Sequence, residues 1–211
     1  EMCIRDRESV FTVNALRSVG VPARQVYAPK WSHCDDNHAW VEVFVNGEWH
    51  FLGACEPEEV LDTGWFSGPA NRAILIHTRN FSDYVKESNE EYLGKEGALH
   101  YFNHTSFYGR TKLVKILVKD ENGKPAAGAH IAVEILNMAE FFPAAVMIAD
   151  ADGEVRMTLG LGDIRVRAFD GIRRAEAMMR IEEEDSLELV LQEEAVPSCL
   201  LYTSDAADDS L

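Results

Sequence analysis

From Lys112 onward the chain settles into a period of two. Val114, Ile116 and Val118 alternate with polar neighbours. The same alternation returns at Ile131, Val133 and Ile135, at Val146 and Ile148, at Val155, Met157 and Leu159, at Ile164 and Val166, over 175–181, and at Leu187, Leu189 and Leu191. Successive strand side chains point to opposite faces, so each run presents one apolar face for burial. Asn122-Gly123, Asp152-Gly153, Gly162-Asp163 and Asp170-Gly171 punctuate the runs with residues that tolerate the positive φ of tight turns. Seven short strands at this spacing predict an antiparallel sandwich over 111–192.

The first third reads differently. Val10, Phe11, Val13, Leu16 and Val19 recur near helical spacing, and Gly20 supplies a C-terminal stop before Pro22. A short strand over 21–27 and a polar loop at 32–37 lead into 38–52. There Ala39, Val41, Val43 and Val45 alternate with other residues, and Asn46-Gly47 suits a two-residue type I′ turn. A hairpin centred on that turn pairs Val45 with Glu48, Val43 with His50 and Val41 with Leu52. It brings His38 opposite Cys55, with Glu56 adjacent. An imidazole beside a thiol and a carboxylate is the raw material of a Cys-His-acid site, in which histidine takes the thiol proton and the acid fixes its tautomer. Residues 61–108 hold an aromatic loop at Trp65-Phe66, an apolar run from Ala73 to Ile76 and a polar stretch at 86–97, read as peripheral structure and connector.

Charge narrows the partners. With 20 basic against 36 acidic residues, the net charge is −16, and no Lys/Arg cluster stands out. That opposes binding through phosphate neutralisation, so neither nucleic acid nor an anionic membrane is an expected partner. No apolar run approaches the length of a membrane span. Cysteines at 3, 34, 55 and 199 lack the spacing of a disulfide framework. His33, Cys34, Asp35, Asp36 and His38, with His50 and Cys55 across the hairpin, are ligand types suited to zinc. They show no C-x2-C or H-E-x-x-H spacing, and no metal or other cofactor is expected.

Glu8-Ser9-Val10-Phe11-Thr12-Val13-Asn14-Ala15-Leu16-Arg17-Ser18-Val19-Gly20-Val21-Pro22-Ala23-Arg24, then His38-Ala39-Trp40-Val41-Glu42, then Gly47-Glu48-Trp49, resemble the core of the transglutaminase-like superfamily. The motifs occur in order over roughly the first third of the chain. The resemblance implies a papain-like core with the nucleophilic cysteine at the helix start, the histidine at the head of the H-A-W strand and an acid after the next strand. Carried over, the histidine is His38 and the acid is Glu56, preferred over Asp62, reached through a bulge at Gly53. The cysteine position falls on Arg5, and Cys3 lies two residues too early. Trp31 and Trp65 are the expected substrate-cleft contacts, whereas Trp40 and Trp49 are expected to pack on the helix.

A second resemblance lies downstream. Gly123-Lys124-Pro125-Ala126-Ala127-Gly128-Ala129-His130-Ile131 and Asp150-Ala151-Asp152-Gly153 are similar to turns of the transthyretin-like, carboxypeptidase-regulatory-like sandwich domains. The opening 1–7 and the closing run from Cys199 to Asp209, within an acidic tail at 193–211, resemble translated adapter sequence, which places the authentic segment between about Glu8 and about Pro197.

The expected fold class is therefore α+β. A truncated transglutaminase-like core of helix plus antiparallel sheet at 8–78 is followed by a connector at 79–110 and an Ig-like or transthyretin-like β-sandwich at 111–192. The resemblance implies a thiol enzyme acting on amide bonds of a protein or peptide substrate through an acyl-enzyme. Such an enzyme is a peptidase or amidase, or an acyltransferase, of bacterial and extracytoplasmic setting. With Arg5 at the thiol position, the chain is expected to be inactive. The alternative is a non-catalytic binding or scaffold protein.

Overall fold

The computed structural model describes residues 4–81 and 91–193. Cys3, the first part of the polar stretch (86–90) and the closing segment from 194 onward, with its adapter-like run from Cys199, lie outside the described residues. The chain opens with α1 (Ile4–Ser18), which starts four residues before the expected Glu8. Gly20 stops it in the left-handed region at φ 84, and the Val21 N–H returns to the Leu16 carbonyl at 3.0 Å. Strands β1 (Ala23–Ala28), β2 (His38–Val45) and β3 (Glu48–Leu52) follow. Asn46 and Gly47 both take positive φ, 54 and 91, as a type I′ turn requires. The β2–β3 register has Val45 opposite Glu48, Val43 opposite His50 and Val41 opposite Leu52, as the turn dictates.

The α+β expectation is overturned: the protein is mostly β, built from three sheets. Besides α1 the helices are one-turn pieces, α2 (Ser67–Ala70) and α3 (Thr105–Tyr108). The reason lies largely in the span read as a connector. Strands β4 (His77–Phe81), β5 (Glu91–Glu96) and β6 (Leu99–Asn103) pair onto β1 and one another, giving a six-stranded antiparallel sheet ordered β3-β2-β1-β4-β6-β5. A single helix against six strands is not a helix-plus-sheet core.

All seven strands expected downstream form: β7 (Thr111–Lys119), β8 (His130–Asn137), β9 (Glu140–Ile148), β10 (Glu154–Gly160), β11 (Asp163–Phe169), β12 (Arg173–Arg180) and β13 (Ser186–Val190), followed by β14 (Gln192–Glu193). They make sheets ordered β10-β7-β13 and β14-β12-β11-β8-β9, with Ile116, Val118, Ile131, Val133, Met157, Leu159, Ile164 and Val166 buried together. One pairing departs from expectation, because β13 runs parallel to β7.

The six-stranded sheet and the sandwich are tied together. Ile74 and Leu75, from the run before β4, are buried in the sandwich core. Gly160 N–H donates to the Ile74 carbonyl at 2.8 Å, and Asn103 Nδ2 donates to the Thr158 carbonyl at 2.6 Å.

His77, at the head of β4, supplies a pH-dependent element. Its ring is buried against Tyr27 and Tyr101, with centroids 5.5 and 5.2 Å away. Burial, and next the Arg79 charge, lower its pKa to about 3 from an ordinary 6.5. The folded imidazole is thus neutral where the unfolded one takes a proton, so acid favours unfolding. Stability is flat above pH 6.5 and falls as pH drops from 6.5 towards 3, by about 2 kcal/mol between pH 6.5 and 5. Urea midpoints measured across that interval should show the slope and should lose most of it in His77→Phe. A flat wild-type profile would contradict this account.

Candidate functional site

Alternation along β2 sorts its side chains onto two faces. Val41 and Val43 join Val13 of α1 and Ala23 of β1, so α1 covers that face. Trp40 points the other way, into a cluster with Val26, Ala28, Trp31, Phe51, Phe66 and Ala73. His38 belongs to this second face, with its ring 5.7 Å from Trp40, 6.4 Å from Trp31, 5.0 Å from Phe66 and 4.8 Å from Trp65. It is 3% exposed, a histidine set among aromatic rings rather than a half-exposed strand start. Trp40 and Trp49 therefore do not pack on the helix as expected. Trp40 stacks parallel to Trp31, and Trp49 lies beneath the Arg24 guanidinium at 4.0 Å.

The four residues singled out in the sequence come together here. Trp31 is buried and half of Trp65 is exposed, so Trp65 presents an open ring edge beside a closed wall. Glu56 is exposed, and its carboxylate accepts the Trp65 indole N–H at 2.9 Å. The carboxylate thus reaches the imidazole's surroundings through the indole that lies against it. Gly53 begins the turn that brings Glu56 there, with no register shift in the β2–β3 ladder. A β-carbon on Gly53 would stand 2.7 Å from the Glu56 carbonyl oxygen, so only glycine fits. The ladder stops at Leu52, and Ala28 of β1 is the residue paired with His38.

Asp62, the acid passed over, has its own histidine. Its carboxylate lies 2.6 Å from His50 Nδ1 and accepts the Phe51 N–H at 2.9 Å, while Asp62 itself takes φ 62. Arg5 lies in the first turn of α1. Cys34 and Cys55 are thiols, Cys34 exposed and Cys55 half-buried. Burial and the neighbouring Asp36 and Asp35 charges, against an opposing Arg72 charge, raise the Cys34 pKa, which keeps it protonated and a poor nucleophile.

Two features of the site were not read from the sequence. One is a buried hydrogen-bonded network beneath Trp40. The Trp40 indole donates to Tyr108 Oη at 2.8 Å, and Tyr108 donates to Glu42 Oε1 at 2.5 Å. Arg24 Nε donates to Glu42 Oε2 at 2.7 Å, and His104 Nε2 lies 3.1 Å from Oε1. Burial and the Glu42 charge push the Tyr108 phenol well above its ordinary value, so it stays a donor. The period-two spacing of His38, Trp40 and Glu42 was the available signal.

The other is Asn137, at the end of β8. Its buried Nδ2 donates to the carbonyls of Trp31 at 2.9 Å and Cys34 at 2.8 Å, while the Met138 N–H donates to Asp35 Oδ1 at 2.6 Å. The sandwich thereby holds the loop that carries Trp31. Nothing in the sequence around Asn137 announces this, because its partners lie about a hundred residues away.

The family model of the transglutaminase-like superfamily matches residues 6–54, the span from the first turn of α1 to just past β3. No curated protein matches. Among solved structures, the structure of a streptococcal ancillary pilin is similar over 88% of this chain and 66% of that one, at 11% identity and a TM-score of 0.33. The chain thus spans just under two thirds of the pilin chain's length.

Proposed function

We propose that the transglutaminase-like segment and its aromatic face belong to thiol-dependent chemistry on amide bonds of a protein or peptide substrate. The observation that carries this reading is His38, seated at the head of β2 between Trp31 and Trp65, within the span that the family model matches. A thiolate attacks the amide carbonyl, and His38 carries the thiol proton to the leaving amine. Water or an amine then takes the acyl group. Glu56 acts on His38 through Trp65, as a positioning residue. Arg5 holds the thiol position, so the chain as it stands lacks the nucleophile. The second reading is a binding or scaffold protein on the same fold.

Arg5→Cys separates the two. A thiol in the first turn of α1 feels the positive end of the helix. Under the catalytic reading, iodoacetamide should modify it near neutral pH roughly tenfold faster than Cys34 or Cys55, because a lowered thiol pKa leaves more of it as thiolate. His38→Ala should abolish the advantage, and Glu56→Gln should shift the pH profile of labelling. Labelling at the rate of an ordinary surface thiol, indifferent to His38, would leave the scaffold reading standing.

A further inference from the structure

Where the six-stranded sheet meets the sandwich, an open surface pocket of about 350 Å³ is lined by Leu161 and by the exposed Ser32, His33, Asn71, Arg72, Arg110 and Glu182. Its charge runs against the rest of the molecule. In a chain of net charge −16, several arginines elsewhere sit on acids: Arg24 on Glu42, Arg79 on Asp6, Arg165 and Arg167 on Glu134, Arg173 on Asp170. Among the described residues neither Arg72 nor Arg110 is ion-paired, although Glu182 shares the pocket wall. Beside the pocket, the Lys112 ammonium donates to the Glu182 carbonyl at 2.6 Å. Of the acids in the adjoining loop, Asp35 already accepts the Met138 N–H, and Asp36 accepts the Asn37 N–H at 2.8 Å. The Ser32 hydroxyl donates to the Arg72 carbonyl at 3.2 Å, fixing the loop to the segment that bears the arginine.

We infer that this pocket is an oxyanion-recognising subsite that takes the side-chain carboxylate of an acidic peptide. Two guanidiniums offer planar donor forks matched to a carboxylate, and Asn71 and Ser32 are neutral polar groups on the same wall. The volume lies at the small end of ligand pockets, about 300–1,000 Å³, and suits one side chain with flanking backbone rather than a large cofactor. Its position ties it to the candidate site. Trp31 packs against His33, a lining residue, at 5.7 Å between ring centroids and against His38 at 6.4 Å, so one buried indole lies against a residue of each place. At about 3.4 Å per extended residue, a peptide anchored here by an aspartate or glutamate presents an amide a few residues away to His38. As a statement about substrates this rests on the thiol–amide reading above; as a statement about binding it does not.

The test uses the full chain and three capped peptides that differ at one position: aspartate, asparagine and phosphoserine. His33 ring resonances report the pocket. The aspartyl peptide should bind roughly tenfold more tightly than the asparaginyl one, a preference worth about 1.4 kcal/mol. It should weaken on raising salt from ~50 to ~300 mM and should disappear in the Arg72→Ala/Arg110→Ala double variant, both positions being exposed. Equal binding of the aspartyl and asparaginyl peptides would overturn the subsite, as would an aspartyl preference that survives the double variant. Tighter binding of the phosphoserine peptide than of the aspartyl one would overturn the carboxylate assignment in favour of a phosphate. Binding with the expected preference, alongside an Arg5→Cys variant that labels like an ordinary thiol, keeps the subsite and removes the reaction.

Discussion

Glu42→Ala is expected to cost about 3–5 kcal/mol of folding stability, the scale for removing one partner of a buried ion pair. The carboxylate is fully buried, and three donors converge on it: the Arg24 guanidinium, the Tyr108 hydroxyl and the His104 ring. Arg24 is itself buried, so deleting the acid leaves a buried guanidinium without its carboxylate. The damage should extend to the candidate site, because Tyr108 also holds the Trp40 indole on which His38 stacks. Urea unfolding gives the energy, and near-ultraviolet circular dichroism reports the tryptophan packing. Arg24→Met combined with Glu42→Met should recover much of the loss, since both desolvated charges then disappear together. A loss below about 1 kcal/mol for Glu42→Ala would mean that water reaches the network. Burial alone pushes the Glu42 carboxyl up, but the His104 hydrogen bond and the His104 and Arg24 charges outweigh it and hold the pKa below its ordinary value. A depressed folded pKa stabilises above the unfolded value and is lost as pH falls through the folded one, so this network weakens in acid as His77 does.

Local chemistry made the hairpin legible. Asn46-Gly47 admits one turn type, that turn admits one register, and the register follows residue for residue. The same logic brought His38 and the Glu56 turn to one end of the sheet. It failed on which face matters, because β2 is buried on both sides. Alternation marks inside against outside only when one face meets water, and here α1 covers Val41 while aromatic rings cover Trp40. The strands β4 to β6 were illegible for another reason. His77-Thr78-Arg79-Asn80 carries no apolar alternation, and it becomes a strand by pairing with β1 and β6. Strand propensity yields to partners in this way wherever the sequence pattern is weak. The parallel pairing of β13 with β7 and the long reach of Asn137 are likewise set by contacts far apart in the chain.

The joint between the six-stranded sheet and the sandwich leads to the second large effect, in Gly160→Ala. Gly160 closes β10 where that strand crosses the segment after α2, and its backbone conformation lies outside the left-handed region, so torsion alone would accept alanine. Space would not. A β-carbon there would stand 1.9 Å from the Ala73 carbonyl oxygen and 2.9 Å from its carbon. Both obstacles are backbone, so no rotamer change relieves them and the two segments must part. Parting breaks the Gly160 N–H bond to the Ile74 carbonyl and draws Ile74 and Leu75 out of the core they share with β7 and β10. Overpacking and a lost buried hydrogen bond together should cost roughly 3 kcal/mol or more. Gly171→Ala serves as a control: it has φ 98 and nothing within 4 Å, so it carries torsional strain without collision. It should lose only about 1 kcal/mol. If the joint is what makes sheet and sandwich one cooperative unit, wild type should unfold in a single transition by tryptophan fluorescence and far-ultraviolet dichroism alike. In Gly160→Ala the fluorescence transition should come first, since all four tryptophans lie before the sandwich. Coincident transitions with an unchanged midpoint in the variant would show that the crossing can widen by the width of a methyl group without loss, and that the shared core does not depend on it.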